Sequence, residues 1–449
     1  GEACTFTLNN GLDRTIRLRS VKEYRDSVIK RVRRAEVDVD IDGKIVRLKC
    51  APYVMPTEVD GLRIQADTTS GWGNVEKDVQ FSLWDAKDPI VNTVRFKFPI
   101  SDYLLFSHGI QTFNEVTHLG LNNSNPQGVN FYHDFGIDLG GFLGREQIVS
   151  CTEGEVLDFW FHKGELCSVL VQDKGGLLWE YAHLDSVFPN IGKGMIIKRG
   201  QAIGMLGVSG PSGAHPHLHL GTCLSKSDFD KDKWNHWLNL YPWLIEAYLK
   251  QFPLQRIYAI ARPHHTVAVG EQTHFDGSNS LAHGTKIILY QWEFSDGVII
   301  NQAQVRREFD TPGTHSAILR IKDEQGQEDL DVCMVKVFPN PVPAKGAIPT
   351  IFLAHYPTLG LKVDDTVHFQ AWIQEADNDT TISMDFGDGS VINDYVQRSE
   401  FQHIFKIEGI YIVTAKAIIR DMRIEQKIKV VVDNKPNKTV SNIVQGVYN

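Results

Sequence analysis

The stretch VSGPSGAHPHLHLG, residues 208–221, joins a glycine-rich turn to a strand carrying His217 and His219. Alternate residues of a strand point to the same face, so the two imidazoles share one side. Leu218 between them takes the other. Neutral imidazole is the commonest protein ligand of zinc. A single His-x-His pair suits a polar strand edge as well as a metal site, so the residues around it decide.

Just before this stretch, short apolar runs alternate with glycine turns. They are IVSCTEGEVLDFWF (148–161), a turn at His162-Lys163-Gly164, LCSVLVQD (166–173), LLWEYAHL (177–184) and IGKGMIIKRGQAIGMLGVSG (191–210). Strands with a turn every 8–12 residues or so predict a compact antiparallel β domain. After it, WNHWLNLYPWLIEAYLKQF (234–252) predicts a helix whose aromatics belong to the core. These limits place one domain at 96–250.

Residues 1–95 predict a separate β domain, of unknown role. AEVDVDIDGKIVRLKC (35–50) alternates Val and Ile with Asp and turns at Asp42-Gly43, a hairpin signal. GLRIQAD, VQFSLWD and VRFKFPI read as further strands. VKEYRDSVIKRVRRA (21–35) fits a short basic helix or another strand.

From Ile257 onward the chain repeats itself. Trp292-Glu293-Phe294-Ser295-Asp296-Gly297 returns as Met384-Asp385-Phe386-Gly387-Asp388-Gly389, and a shared period fixes architecture. Each copy runs on into a Gly turn and an alternating strand, EFDTPGTHSAILRIKD and HIFKIEGIYIVTAKAIIRD. The joint between copies, FPNPVPAKGAIP, is Pro-rich, as linkers often are. This half resembles a pair of PKD (polycystic-kidney-disease-type, immunoglobulin-like) domains. The resemblance implies two β-sandwiches, at 256–340 and 347–433, serving as spacers or as adhesion modules for a surface protein or polysaccharide. Separate cores and a Pro-rich joint predict that chemistry carried by the 96–250 domain would not need them. The polar tail after Asn434 is expected to fray.

Bulk composition narrows the function. The chain has 449 residues, 42% hydrophobic and 22% charged, enough for several packed cores. A net charge of −9 argues against nucleic acid, whose binding rests on Lys and Arg. No membrane span is expected, because no apolar run reaches the ~18 residues that one needs. Six cysteines without a Cys-x-x-Cys pair exclude a zinc ribbon. Cys4 and Cys50 fit either a disulfide or buried thiols. A chain opening on Gly1 rather than Met is expected of a processed or recloned N-terminus.

Six of the 17 histidines fall between His133 and His219. His133 and Asp138 lie in HDFGID, and His183 in YAHL. A catalytic zinc takes three protein ligands and leaves a position for water, whereas a structural zinc closes with four. Together these motifs resemble the lysostaphin/LytM-type zinc metallopeptidases, which cut peptide bonds in bacterial peptidoglycan. The resemblance covers residues 96–225 and rests on His133, Gly136-Ile137-Asp138, Glu153-Gly154-Glu155-Val156, Tyr181-Ala182-His183-Leu184, the turn at Gly200, and Gly213 with His217-Leu218-His219. It implies that His133, Asp138 and His219 hold Zn2+. It further implies His217 as general base and His183 as transition-state stabiliser. Two departures stand out. Four residues separate His133 from Asp138 where the family has three, which a bulge can absorb, with Asp134 as the alternative ligand. Ala214-His215-Pro216 replaces a small turn, and His215 reads as a loop residue, as does His162.

The expectation is a mainly β protein. An N-terminal β domain precedes an antiparallel β metallopeptidase domain and two C-terminal β-sandwiches. Its expected activity is exported (secreted, periplasmic or surface) zinc endopeptidase action on peptidoglycan. The rivals are an inactive peptidase fold serving as a binding module, and a surface adhesion protein built on the PKD pair.

Overall fold

The structure, a computed structural model, describes residues 3–28, 30–71, 78–92, 94–109, 111–113, 115–121, 129–133, 136–161, 166–210, 212, 215–227, 238–253, 256–343, 348–374 and 380–433. Of 116–121, 129–133 and 160–161 it describes the backbone alone. The Val/Ile–Asp alternation near the N-terminus forms the expected hairpin. Val32–Ile41 and Lys44–Cys50 pair antiparallel through Ile41↔Lys44. Asp42 and Gly43 take positive φ values of 50° and 89°, the turn whose twist suits a two-residue hairpin. The basic segment 21–35 is strand, divided between Asp13–Arg25 and Val32–Ile41. Val37, Val39 and Ile41 from this sheet meet Leu62 and Ile64 from a second, three-stranded sheet. Cys4 and Cys50 lie on the first and fourth strands of the first sheet. Three strand spacings, roughly 14 Å, separate such positions, twice what a disulfide spans; both remain thiols.

One expected strand does not form. In VRFKFPI, Phe96, Phe98 and Ile100 are buried in alternation, but the segment makes only isolated backbone bonds. Lys97 N–H donates to Cys151 O at 2.8 Å, and Val149 N–H donates to Pro99 O at 2.8 Å. Pro99 has no N–H to give a ladder, so the period-2 signal reports burial without a sheet.

The middle of the chain is built on a seven-stranded antiparallel sheet. In spatial order it runs Ile196–Ile197, Gly154–Phe161, Cys167–Asp173, Leu178–Ala182, His217–Cys223, Ile137–Gly140 and Gln111–Phe113. A three-stranded sheet (Gln147–Val149, Ala202–Leu206, Leu184–Val187) packs beside it. The helix Tyr241–Gln251 closes the core. It buries Tyr241, Leu244, Ile245 and Tyr248, one stripe at helical spacing. Tyr241 meets Phe113 edge-on at 5.1 Å. The aromatics of this region are core, as expected. The upstream part of the expected helix, 234–237, and the turn at 162–164 lie outside the described residues.

The two copies of the repeat are β-sandwiches. Trp292 and Met384 occupy matching fully buried positions, with Phe294 and Phe386 beside them. Each sandwich has its own core, yet the two are not strung on the linker alone. Gly313 of the first pairs with Arg423 of the second, joining their sheets. Ile318, Leu330, Val332 and Met334 pack against Ile410 and Ile412 across the junction. A buried ion pair, Lys429 Nζ to Asp329 Oδ1 at 2.8 Å, spans it as well. Among the described residues no helix is long and apolar enough to cross a membrane. The fold is mainly β, as the alternation and turn spacing predict.

Candidate metal centre and active site

Three strands bring the site together. Ile137–Gly140 runs antiparallel to His217–Cys223 with Asp138 opposite His219 and Gly140 opposite His217. Leu178–Ala182 flanks the other edge, with Ala182 opposite His219. The alternation works as the sequence suggests. Leu218, Leu220, Ile137 and Leu139 point into the core at 0% exposure, which leaves Asp138, His217 and His219 on the opposite face. His183 follows immediately, at φ 62°. A left-handed non-glycine residue costs about 1–2 kcal/mol; such strain concentrates at functional sites.

The polar atoms converge. Asp138 Oδ1 lies 2.9 Å from His219 Nδ1 and 3.6 Å from His217 Nε2. The His183 ring stands 4.6 Å from His217 and 6.0 Å from His219, centroid to centroid. Backbone carbonyls hold two of the rings: His183 Nδ1 meets Ser209 O at 2.7 Å, and His217 Nδ1 meets His215 O at 2.9 Å. A carbonyl only accepts, so both nitrogens carry the proton and both Nε2 atoms of the neutral rings are free of one. Glycine makes room for this packing. A Cβ on Gly136 would stand 2.6 Å from Leu220 O and 2.8 Å from His219 Cε1. A Cβ on Gly207, which bridges to His217, would stand 2.1 Å from Asp185 N.

Burial sets the charges. It works to raise the Asp138 carboxyl, but the adjoining His217 and His219 outweigh it and hold the group well below the usual carboxylate range. Burial, with His217 alongside, pulls His183 down to about 4. His217 is also lowered by burial, against the pull of Asp138. At neutral pH the site thus holds an ionised carboxylate beside the neutral imidazoles of His183 and His217, and zinc binding requires its carboxylate ligand in that ionised form. Donors about 2.0–2.2 Å from a tetrahedral zinc lie roughly 3.3 Å apart, so Asp138 and His219, now at a hydrogen-bond distance of 2.9 Å, would part by a few tenths of an ångström to hold one.

Of the five residues singled out from sequence, the structure brings together Asp138, His183, His217 and His219. The side chain of His133 lies outside the described residues, as does Asp134. The His133 backbone ends the strand Val129–His133, which pairs with Val116–Leu121 in a separate two-stranded sheet. The long spacing to Asp138 therefore spans a change of sheet. Among the described residues no set of three or more His, Cys, Asp or Glu forms a metal cage, and the third expected ligand is not one of them. Sequence reasoning missed three contributors. Ser209 and His215 act through backbone carbonyls, which carry no residue signature. Phe352 stacks on His215 at 4.9 Å from another domain, where nothing in its own neighbourhood announces the contact.

The family profile for Peptidase family M23 matches residues 132–230. Two PKD domain profiles match residues 257–337 and 354–432. Among solved structures, similarity is found to a candidate glycyl-glycine endopeptidase, lytM, from Ruminococcus gnavus (25% identity, 34% of this chain and 61% of that one, TM-score 0.23). This chain thus spans only about six tenths of that protein. The antimicrobial peptidase lysostaphin from Staphylococcus simulans aligns at 16% identity over 51% of this chain and 91% of that one, TM-score 0.23. A zinc-containing peptidase from Vibrio cholerae aligns at 15% identity over 45% and 81%, TM-score 0.21. The chain carries a peptidase M23 domain followed by two PKD domains.

Proposed function

We propose that the chain is an exported zinc endopeptidase that hydrolyses peptide bonds of bacterial peptidoglycan. The observation that carries this reading is the approach of Asp138 Oδ1 to His219 Nδ1 and His217 Nε2, with His183 over them, inside an M23 match. Asp138 and His219, with His133, would hold the metal. Bound there, zinc supplies an acidified water and polarises the scissile carbonyl.

The protein's own residues supply the proton handling. His217, with Nδ1–H committed to the His215 carbonyl, offers the Nε2 lone pair as general base. It takes a proton from the attacking water as the C–O bond forms. It returns that proton to the amide nitrogen as the C–N bond breaks, leaving a carboxylic acid and an amine. His183 presents Nε2 from the other side. Its neutral ring carries only a lone pair at Nε2, so it serves the developing oxyanion once that nitrogen has taken up a proton from solvent, and Ser209 O keeps its ring oriented. The PKD pair is proposed to meet a surface protein or polysaccharide.

Zinc-loaded full-length protein incubated with glycine-rich peptides, stem peptides and purified peptidoglycan provides the test. Release of new amino termini from at least one is expected. A chain that holds zinc and cleaves none would instead be an inactive peptidase fold with a binding role.

A further inference from the structure

The second sandwich does not stand clear of the peptidase domain. Its first strand, Thr350–Tyr356, lies along the edge of the site. Three rings form one continuous stack across the boundary. His217 stacks on His215 at 4.4 Å and 23°, and His215 on Phe352 at 4.9 Å and 15°, while Trp372 lies tilted against Phe352 at 5.4 Å and 31°. His215 thus has the general base on one face and a phenyl ring of another domain on the other. The same residue supplies the carbonyl that fixes the His217 proton on Nδ1.

Contacts independent of this stack dock the sandwich. Leu104 N–H donates to Thr358 Oγ1 at 3.3 Å, and Lys429 N–H donates to Ser107 O at 3.1 Å. His108 stacks on His355 at 5.0 Å, and Arg145 reaches Glu400 at 3.4 Å. Between the domains lies a small pocket lined by Gly141, Pro216, Phe352, Leu353 and Trp372.

We infer that Phe352, from the second PKD domain, is a positioning residue for the peptidase: through the His215 ring it holds His217 in the orientation and tautomer of a general base. Its kinetic consequence rests on the endopeptidase reading above; the geometry of the stack does not. The second sandwich is then a working part of the site and not a spacer. Truncation Phe352→Ala removes one face of the sandwich around His215. The docking contacts stay, so the domain remains in place while the His215 ring and carbonyl gain freedom.

The test uses the full chain with Phe352→Ala, Phe352→Leu and Phe352→Tyr. A 1 Å misplacement of a reacting group costs up to 10²-fold. We expect Phe352→Ala to lose about tenfold in kcat, with KM within about twofold of wild type and zinc content unchanged. Phe352→Tyr, which keeps a flat ring, restores kcat; Phe352→Leu restores the melting midpoint but not kcat. A second readout does not depend on turnover. Long-range 1H–15N spectra of the imidazoles, with His217 assigned by its loss in His217→Ala, show a single Nδ1–H tautomer in wild type and a mixture in Phe352→Ala. Wild-type kcat with an unchanged His217 spectrum in Phe352→Ala overturns the inference. So does a rise in KM at constant kcat, which would make Phe352 a substrate contact. If wild type cleaves nothing, the endopeptidase reading fails while the spectra still decide the stack.

Discussion

Arg262 rivets the segment beside the site to the first PKD domain, and its removal has a calculable cost. The side chain is 2% exposed. Its two terminal nitrogens donate to Gln111 O at 2.7 Å and His108 O at 2.5 Å. Its Nε lies 3.3 Å from Asp331, a fully buried carboxylate. Removing one partner of a buried pair costs about 3–5 kcal/mol, because the other charge is left uncompensated. An orphaned buried carbonyl costs about 1–3 kcal/mol more. Here that is His108 O, since Gln111 O keeps the Tyr53 hydroxyl at 3.1 Å. These terms overlap, so Arg262→Met should lose roughly 4–6 kcal/mol. At a few °C per kcal/mol for a large domain, the melting midpoint should fall by about 10 °C or more. The site should feel it too, because Gln111–Phe113 pairs with the strand that carries Asp138. Arg262→Met/Asp331→Asn removes both charges while keeping an acceptor for Ala261 N–H, which Asp331 now binds at 2.8 Å. It should recover at least half of the loss. Calorimetry with circular dichroism at pH 7 measures wild type and both variants. A single variant melting within 2 °C of wild type, at roughly half a kcal/mol, would refute the reasoning, as would a double variant less stable than the single.

Acid should destabilise the fold through buried histidines. Burial, with Arg262 nearby, holds His108 and His264 down to about 3. Their folded values lie below the unfolded value near 6.5, so stability is complete above that pH and is lost as pH falls toward 3. Each group contributes about 1.4 kcal/mol per pH unit in that window; a melting midpoint of zinc-stripped protein that stays flat from pH 6.5 to 4.5 would contradict this. Gly136→Ala should push on the His219 ring and weaken zinc at least about tenfold, as measured by chelator competition; unchanged affinity would remove the steric argument. His183→Ala and His217→Ala should each cut turnover at least about 10²-fold while keeping zinc, and the double variant should cost far less than the product. Full activity in either single variant would take that residue out of the chemistry.

Much of the site was legible because it lies on strands whose period is strict. Leu218 and Leu220 commit the strand's other face to the core, so His217 and His219 had to share a side. Asp138 was implied only by the family resemblance of HDFGID, and it shares their face because Ile137 and Leu139 beside it turn into the core. The Trp292 and Met384 repeats marked two sandwiches for a similar reason: each fills the same buried place. What stayed hidden depends on contacts between distant segments. VRFKFPI carries a strand's alternation but finds no neighbour to pair with along its length. The Pro-rich joint suggested separate units on a linker, whereas Gly313–Arg423 pairing and the Lys429–Asp329 ion pair also tie them together. His215 looked like a loop residue; its carbonyl and ring matter only because His217 and Phe352 lie on either side.

Metal content measures the central claim most directly. Full-length protein equilibrated with zinc and desalted should carry one zinc per chain by emission spectroscopy, and His219→Ala should carry almost none while His217→Ala keeps its full complement. Full zinc retention in His219→Ala, or a wild-type chain that binds none, would contradict the account.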